Sequence, residues 1–536
     1  MNTFVLTWGV ILLWAVRTLI ALLFHTALWQ RKEYRFDRLY SHLLSPTGRQ
    51  LWLSSPNAIK LLVLILLFPE MMAGHLLLVA SAFFLVYALE IISELITVSH
   101  KGLIRPVATI RSVAIVVVAA GLISGAVLLA ASHFPNSPVF LGILLLNDFL
   151  LPLIVTILIL LSGGAVALLQ ERVIKKAAQK RQQLGRLTVI GVTGSWGKTS
   201  VKEFLSVILA TRFAVVKTEE HVNTAIGVAQ TLLQQVGPQH EIFIVEMGAY
   251  RRGEIAKICR ITRPQIGIIT EIGDQHLELF GSVEELAQAK LELTNSLPAD
   301  GLAVVNLDSK LLRVHADKIK VPLLRYSVEQ QTDVYARDIV VAPEALQFTA
   351  VVGREVCDMH AGLLGRQNIA CLLPAIAVAH HLGMPLQEIA EAILAISPLT
   401  HTMEPIRHAS GALFIDDSYS ASSGSTRAAL RYLHELHNVY KIFVFDSIIE
   451  LGETATQVHQ ELGLTIAEIC DAAVIVTTDH FSAIKDGFTK EPTGRCSLSL
   501  FTDPRRAAAL IGKHLDKNTV VVFEGRGTKH VLHYLE

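Results

Sequence analysis

The chain has 536 residues, more than one ordinary core accommodates, so two or three domains are expected. It is 51% hydrophobic with a mean hydropathy of +0.46, too apolar for an average soluble protein of this size, which places part of it in lipid. Lys+Arg and Asp+Glu balance at 47 each, which removes the global electrostatic case for a nucleic-acid partner.

Residues 4 to 29 are long and apolar enough to cross a hydrocarbon core of about 30 Å, interrupted only by Arg17 and His25. No small-residue cleavage site follows and further apolar segments do, which argues against a cleaved signal peptide. Those segments are 58 to 72, 75 to 97, 112 to 132 and 139 to 170. The first is short and carries Pro69 and Glu70, so it reads either as re-entrant or as one arm of a tight hairpin. The loops at 30 to 56, 98 to 111 and 171 to 186 are rich in Lys and Arg, whereas those near 73 and 133 to 138 have none. Because basic loops stay cytoplasmic, about five spans with the N-terminus outside fit this pattern. The region 1 to 171 is therefore expected as an α-helical membrane region, followed by a basic, helical linker over 172 to 187. The spans lack a dense set of internal ionisable residues, which disfavours a transporter.

At Leu187 the pattern changes. LTVIGVTG is a short β-rich run ending at glycines, and KTSVKEFLSVILAT has helical spacing of apolar residues. The alternation continues through EIFIVEMG, PQIGIITEIG, EELAQAKLELTNSL and GLAVVNLD, and resumes with ALFIDDSY, KIFVFDS, DAAVIVTTD and TVVVFEG. Strands alternating with helices imply α/β domains with parallel sheets covered on both faces, here 188 to 400 and 401 to 536. The cysteines, Cys259, Cys357, Cys371, Cys470 and Cys496, form no CxxC pair and fit reduced cytosolic thiols.

The segment Gly194-Ser195-Trp196-Gly197-Lys198-Thr199-Ser200 sits where a phosphate loop should, between a strand and its helix. Its backbone N–H groups can cradle a polyphosphate, Lys198 can reach the outer phosphates and the Thr199 hydroxyl can bind Mg²⁺. The strict GxxxxGK[ST] spacing would need a small residue where Val192 stands. Other positions carry less weight on their own. Glu246 ends an apolar strand, His276 lies in a loop, Lys290 is a lysine on an amphipathic helix, and Asn223 suits a turn.

GVTGSWGKTS resembles the phosphate loop of the Mur ligase family, in which the first glycine is absent. IVEMGAYRRGEI, ITEIGDQHLELFGS, AQAKLEL, VVNLD, GRQNIACLLPAIAVA, IDDSYSASSGSTRAAL and ELGETATQVHQELG follow in the order of its UDP-N-acetylmuramoyl-tripeptide:D-alanyl-D-alanine ligase branch. The resemblance covers residues 188 to 536. It implies a central P-loop ATPase domain with a parallel sheet and a C-terminal Rossmann-like α/β domain. It also implies a carboxylate–amine ligase that uses ATP and Mg²⁺ and makes an acyl phosphate, because joining these groups requires activation.

The resemblance assigns Thr199, Glu246, His276 and Lys290 to metal binding. Lys290 matches a lysine that many relatives carbamylate, which would turn a cation into an anion. Lys198, Glu246, His276 and Lys290 form the expected catalytic set. The nucleotide is assigned Gly194, Ser195, Gly197, Lys198, Thr199, Ser200, Asn368, Asp416 and Tyr419, and the substrates Asn223 and Ser418. Departures from the family pattern are Gln367 for histidine, Ser420 and Ser422 for the asparagines of DDSYNAN, Thr402 for arginine, Phe445 for glycine and Glu524 for lysine. Arg407 and Arg526 are candidates to restore the missing positive charge.

Typical relatives begin with a domain that holds the UDP end of a soluble precursor, where this chain has apolar spans. The expected partners are therefore a lipid bilayer, an envelope-precursor peptide and an amino acid or dipeptide donor. The expected location is the cytoplasmic (inner) membrane, multi-pass, with the ligase domains in the cytoplasm. A poly-γ-glutamate-synthetase-like polymer ligase and a non-catalytic nucleotide-binding envelope scaffold are the alternatives.

Overall fold

The computed structural model describes residues 3–44, 48, 55–273, 280–449, 451–491 and 494–536. The chain divides into two compact units, Met1–Leu169 and Gln170–Glu536.

The first unit is helical: α1 (Thr3–Arg31), α2 (Phe36–Leu44), α3 (Ser55–Met72), α4 (Leu76–Lys101), α5 (Ile110–His133) and most of α6 (Pro138–Gln183). Among the described residues, four helices are long and apolar enough to cross a membrane: 3–31, 76–99, 110–133 and 138–183. Helices α3 and α4 form a hairpin about Gly74, and α3 carries Pro69 within it. Large apolar side chains such as Trp8, Leu12, Phe68, Leu128 and Leu161 point outward, 57% exposed or more. A water-facing bundle would bury such a surface. Inside the unit the structure corrects one sequence reading. Arg17, Lys60, Glu90, Glu94 and Asp148, each isolated within a different stretch or turn of apolar sequence, converge into one ionic cluster.

The second unit begins with the end of α6, which is a packed element and not a free spacer. Ile174 and Ala177 are buried in a core with Leu187 and Val228, and Arg181 donates to the carbonyls of Thr262, Leu184 and Leu187. A nine-stranded sheet follows, in the order β2-β3-β1-β4-β5-β6-β7-β8-β9, in which β2 is Val215–Lys217 and β6 is Leu323–Ser327. Its pairings are parallel through β6–β7, and β7 (Val334–Ala342), β8 (Ala345–Val352) and β9 (Glu355–Ala361) close it as an antiparallel meander. The strands β1 (Thr188–Thr193), β3 (Ile242–Glu246), β4 (Ile266–Ile269) and β5 (Leu302–Asn306) are almost wholly buried, as a sheet with two covered faces demands.

A six-stranded sheet, in the order β10-β11-β15-β12-β13-β14, with β12 at Tyr440–Phe445, β13 at Ala472–Ile475 and β14 at Ser497–Leu500, forms the C-terminal domain of the same unit. Only its edge strand β10 (Glu404–Arg407) is antiparallel, against β11 (Leu413–Asp417). The C-terminal ends of β11 and β15 (Thr519–Glu524) lie in register, Asp417 beside Glu524. Ligands of open α/β sheets bind at such strand ends.

Candidate active site

The site begins where β1 hands the chain to α7 (Lys198–Ala210). The turn needs its glycines. Gly197 has φ +78°, and a Cβ on Gly194, at φ +152°, would sit 1.9 Å from Thr270 Oγ1. The loop is held from below by the end of β4: Ser195 N–H donates to the Glu271 carbonyl at 2.7 Å, and Gly273 N–H donates to Ser195 Oγ at 3.0 Å. Lys198 Nζ curls over the loop and donates to the carbonyls of Gly194 (2.7 Å) and Ser195 (2.8 Å). Burial lowers the pKa of Lys198, and Glu246 opposes that shift. Behind the loop lies Cys371, 3.3 Å from where a Gly197 Cβ would be, its thiol pushed by burial up to about 12.

Glu246, at the end of β3, is the centre of the polar set. Its buried carboxylate accepts from Thr199 Oγ1 at 3.0 Å and Asn223 Nδ2 at 3.2 Å, and Lys202 Nζ lies 3.4 Å away. Its backbone N–H donates to Thr218 Oγ1. Lys202 is fully buried, one helical turn beyond Lys198 on α7. Sequence reasoning passed over it, although the i, i+4 spacing in KTSVK was visible. Lys290, on α10 (Val283–Asn295), is buried with Lys198 as a neighbouring cation. Desolvation and Lys198 hold its pKa well below the usual lysine value, so the neutral amine is favoured. His276 lies outside the described residues.

Across the cleft stands the C-terminal domain. A cavity of about 360 Å³ is lined by residues 195–200 together with Thr400, Thr402, Asp417, Tyr419, Ser420 and Ser422, which is within the range of small-molecule sites. Of the DDSY segment, Asp417 and Tyr419 face this cavity. Asp416 instead accepts from His401 Nδ1 at 2.6 Å and from Ser418 N–H, and does not line it. Ser418 is buried, and its Oγ has no hydrogen-bond partner among the described residues. Tyr419 stacks on His221 at 5.3 Å between ring centroids, with Tyr419 Oη 2.8 Å from His221 Nδ1. Asn368 does not line the cavity either and donates to the Leu364 carbonyl at 2.7 Å.

The family departures have structural partners. Ser422 caps α14 (Ser423–Glu435), with Ser425 closing a reciprocal capping box. Glu524 is fully buried and accepts from Ser425 Oγ at 2.9 Å and Thr426 Oγ1 at 2.8 Å. It meets Asp417: desolvation raises both carboxyls, Asp417 to about 6 although its hydrogen bond with Glu524 opposes the shift, and the Asp417 charge lifts Glu524 further above its ordinary value, so the pair holds a proton more tightly than free carboxyls do. Arg526 Nε donates to the Tyr419 carbonyl at 3.0 Å, while Arg407 pairs with Glu344 at 2.7 Å on the exposed edge strand. Among the described residues, Lys198 is the only Lys or Arg that lines the cavity. The indole of Trp196 reaches from the loop to the other wall: a Cβ on Gly273 would lie 2.0 Å from it, and one on Gly424 2.5 Å.

A glycine-rich turn at the switch from strand to helix, with a strand-end carboxylate beneath it and a second α/β domain opposite, defines a nucleotide-binding α/β protein with a P-loop. Models of the Mur ligase middle domain and of the Mur ligase glutamate ligase domain match residues 192–379 and 402–527. The chain is 34% identical over 289 residues to the UDP-N-acetylmuramoyl-tripeptide–D-alanyl-D-alanine ligase of Escherichia coli K12, covering 54% of this chain and 63% of that relative. It thus spans somewhat under two thirds of that protein's length. Against the ligase of the same name from Bacillus subtilis 168 it is 30% identical over 351 residues, covering 65% and 75%. The crystal structure of MurF from Acinetobacter baumannii superposes with a TM-score of 0.62 at 26% identity, covering 68% of this chain and 80% of that one. MurF from Thermotoga maritima, solved in complex with ADP, shares the fold at a TM-score of 0.61 and 24% identity, covering 68% and 83%. The chain belongs to the Mur ligase family.

Proposed function

We propose that this chain is a membrane-anchored, ATP-dependent ligase that joins a carboxylate to an amine on a peptide precursor of the cell envelope. The convergence of Lys198, Thr199, Asn223 and Lys202 on or beside the buried Glu246 carboxylate carries this reading. Thr199 Oγ1 and Glu246 Oε2 are hard oxygen donors 3.0 Å apart below a loop of backbone donors, a set that suits Mg²⁺. Thr199 and Glu246 would hold the ion, which supplies neutralisation of phosphate charge when bound.

The work of the chain's own residues follows from their positions. The backbone N–H groups of residues 196–199 bind the phosphates, and Lys198 moves from its loop carbonyls to an outer phosphate oxygen. A substrate carboxylate oxygen then attacks the γ-phosphorus and ADP departs, leaving an acyl phosphate. The amine attacks that acyl carbon, phosphate leaves, and the nitrogen loses a proton. Trp196 and Tyr419 reach across the cleft and shield the step from water. Burial and Lys198 lower the pKa of Lys290 towards the free amine, the form of lysine that reacts with CO2, and its carbamate would add a second anionic ligand.

The names of the relatives suggest a muramoyl-tripeptide acceptor and D-alanyl-D-alanine as the amine. The outward apolar surface of the first unit supports placement in the cytoplasmic membrane, with the ligase domains cytoplasmic and the acceptor presented at the membrane face. A scaffold reading draws on Glu524, where relatives carry a lysine. The test is product formation by the full chain in lipid nanodiscs with ATP, Mg²⁺ and an envelope-precursor extract, followed by mass spectrometry. An ATP-dependent amide product that Lys198→Ala abolishes supports the ligase; nucleotide binding with no product from any extract overturns it.

A further inference from the structure

The helical unit contains polar machinery that the ligase chemistry does not use. Arg17 lies halfway along α1, about 20 Å from either end by helical rise. Its Nε is 3.1 Å from Glu90 Oε1 and its Nη1 is 3.3 Å from Asp148 Oδ1. Lys60, fully buried, is 2.9 Å from Asp148 Oδ2 and also pairs with Glu90. Tyr87 Oη, also fully buried, donates to Asp148 at 3.0 Å. Two cations and two carboxylates therefore cancel. Glu94, one helical turn beyond Glu90, adds a carboxyl whose Oε2 is buried and has no hydrogen-bond partner among the described residues. Ionisable groups this deep among apolar helices are costly to retain and mark functional sites.

A cavity of about 310 Å³ opens beside the cluster. Arg17, Glu90 and Glu94 line it with charge, Asn57, Ser93 and Thr97 add hydroxyl and amide groups, and it reaches residues 102–104, in a loop whose flanking basic residues mark it as cytoplasmic. Phe24, Val98, Leu103 and Ile104 supply an apolar wall.

The chemistry of this lining selects its occupant. An anionic head would face Glu90 and Glu94. A cationic head would face Arg17. Neutral hydroxyls suit both, because each donates to a carboxylate oxygen and accepts from an amide or guanidinium, while the apolar wall takes the C–H face of a ring. We infer that the helical unit holds a binding site for the hydroxyl-rich glycosyl headgroup of a lipid, with Glu94 and Asn57 as its recognition residues. The inference rests on the reading of residues 3–169 as membrane-embedded and is independent of which amide the ligase forms.

The experiment is native mass spectrometry of the full chain released from a polyether detergent, which has no sugar. Glucosyl-diacylglycerol, phosphatidylethanolamine and phosphatidylglycerol with matched acyl chains are added in competition. One glucosyl lipid should be retained in preference to the others by about tenfold or more, and Glu94→Ala should remove the preference, since one hydrogen bond to a charged group is worth at least that factor. Asn57→Leu is the second variant, for the case that Glu94→Ala does not fold. Equal retention of the three lipids, preference for either phospholipid, or glucosyl retention unchanged in a folded variant overturns the site. Amide-product assays on the same preparations separate the two readings: ligation without glucosyl preference sinks the site alone, and glucosyl preference without ligation sinks the ligase alone.

Discussion

The Trp196 indole lies against Gly424 so closely that a Cβ on the glycine would fall 2.5 Å from the ring. Gly424 is the second residue of a regular helix and shows no positive φ, so its lack of a side chain is a matter of space and not of backbone freedom. The contact couples the phosphate loop to the C-terminal domain. Gly424→Ala should keep the fold but displace the ring, and the cost of such overpacking, about 1–3 kcal/mol, should appear as a roughly 10- to 100-fold loss in kcat/KM for ATP. Intrinsic tryptophan fluorescence on nucleotide addition reports the displacement; unchanged kinetics and fluorescence would refute the coupling.

Glu246 and Lys202 separate stability from catalysis. Glu246→Gln should reduce ATP turnover by about two to three orders of magnitude, as loss of a charge-stabilising group does. It should also lower Tm, because buried Lys202 keeps only Glu203, 3.2 Å away, of its two carboxylate partners, a loss of about 1–3 kcal/mol. Glu246→Gln combined with Lys202→Met should restore much of the Tm and none of the turnover. Recovery of both would mean that Glu246 serves folding alone.

Lys290 should carry CO2. A full-length sample equilibrated with ¹³C-bicarbonate is expected to give a carbamate carbonyl resonance that is absent in Lys290→Ala, and turnover should fall when CO2 is stripped. A short carboxylic acid added to Lys290→Ala should restore part of the turnover. No resonance and no dependence on CO2 would leave Lys290 as a buried amine.

Stability should pass through a maximum in pH. Asp417, raised to about 6, and Glu524, raised further, stabilise the fold while they hold a proton. That contribution is fully present below their unfolded values near 4 and is lost as pH rises through the folded ones. His459 is buried, stacked 4.4 Å from His480, and lowered to about 4 by desolvation. The unfolded chain therefore takes up its proton first, and stability is lost as pH falls from about 6.5 towards 4, by roughly 3 kcal/mol for this one group. Glu524→Gln should raise Tm at pH 8 and not at pH 4. A wild-type Tm that still climbs between pH 7 and 9 would contradict the shared proton.

Much of the second unit was legible because its information is local. GSWGKTS follows a β-rich run and opens a helix, and Glu246 ends a run of five buried residues, so period and composition place both. What was missed depends on contacts between distant segments. Nothing in DDSY tells which acid turns inward: Asp416 goes to His401 because β10 folds back beside β11, leaving Asp417 to the cleft. Trp196 reads as a spacer until Gly273 and Gly424 are brought to its faces. The ionic cluster of the helical unit is assembled from four helices, and each charge alone looks like an interruption of an apolar segment.

The thiol behind the phosphate loop has a practical corollary. Only the thiolate reacts with peroxide or alkylating agents. With Cys371 held near 12, and Cys259 and Cys496 likewise, the nucleotide pocket is chemically quiet toward oxidants at physiological pH. With the half-exposed Cys357 replaced by alanine, a cysteine introduced at the rim of the cleft would then be a handle for a spectroscopic label, with little competing reaction from the thiols packed inside.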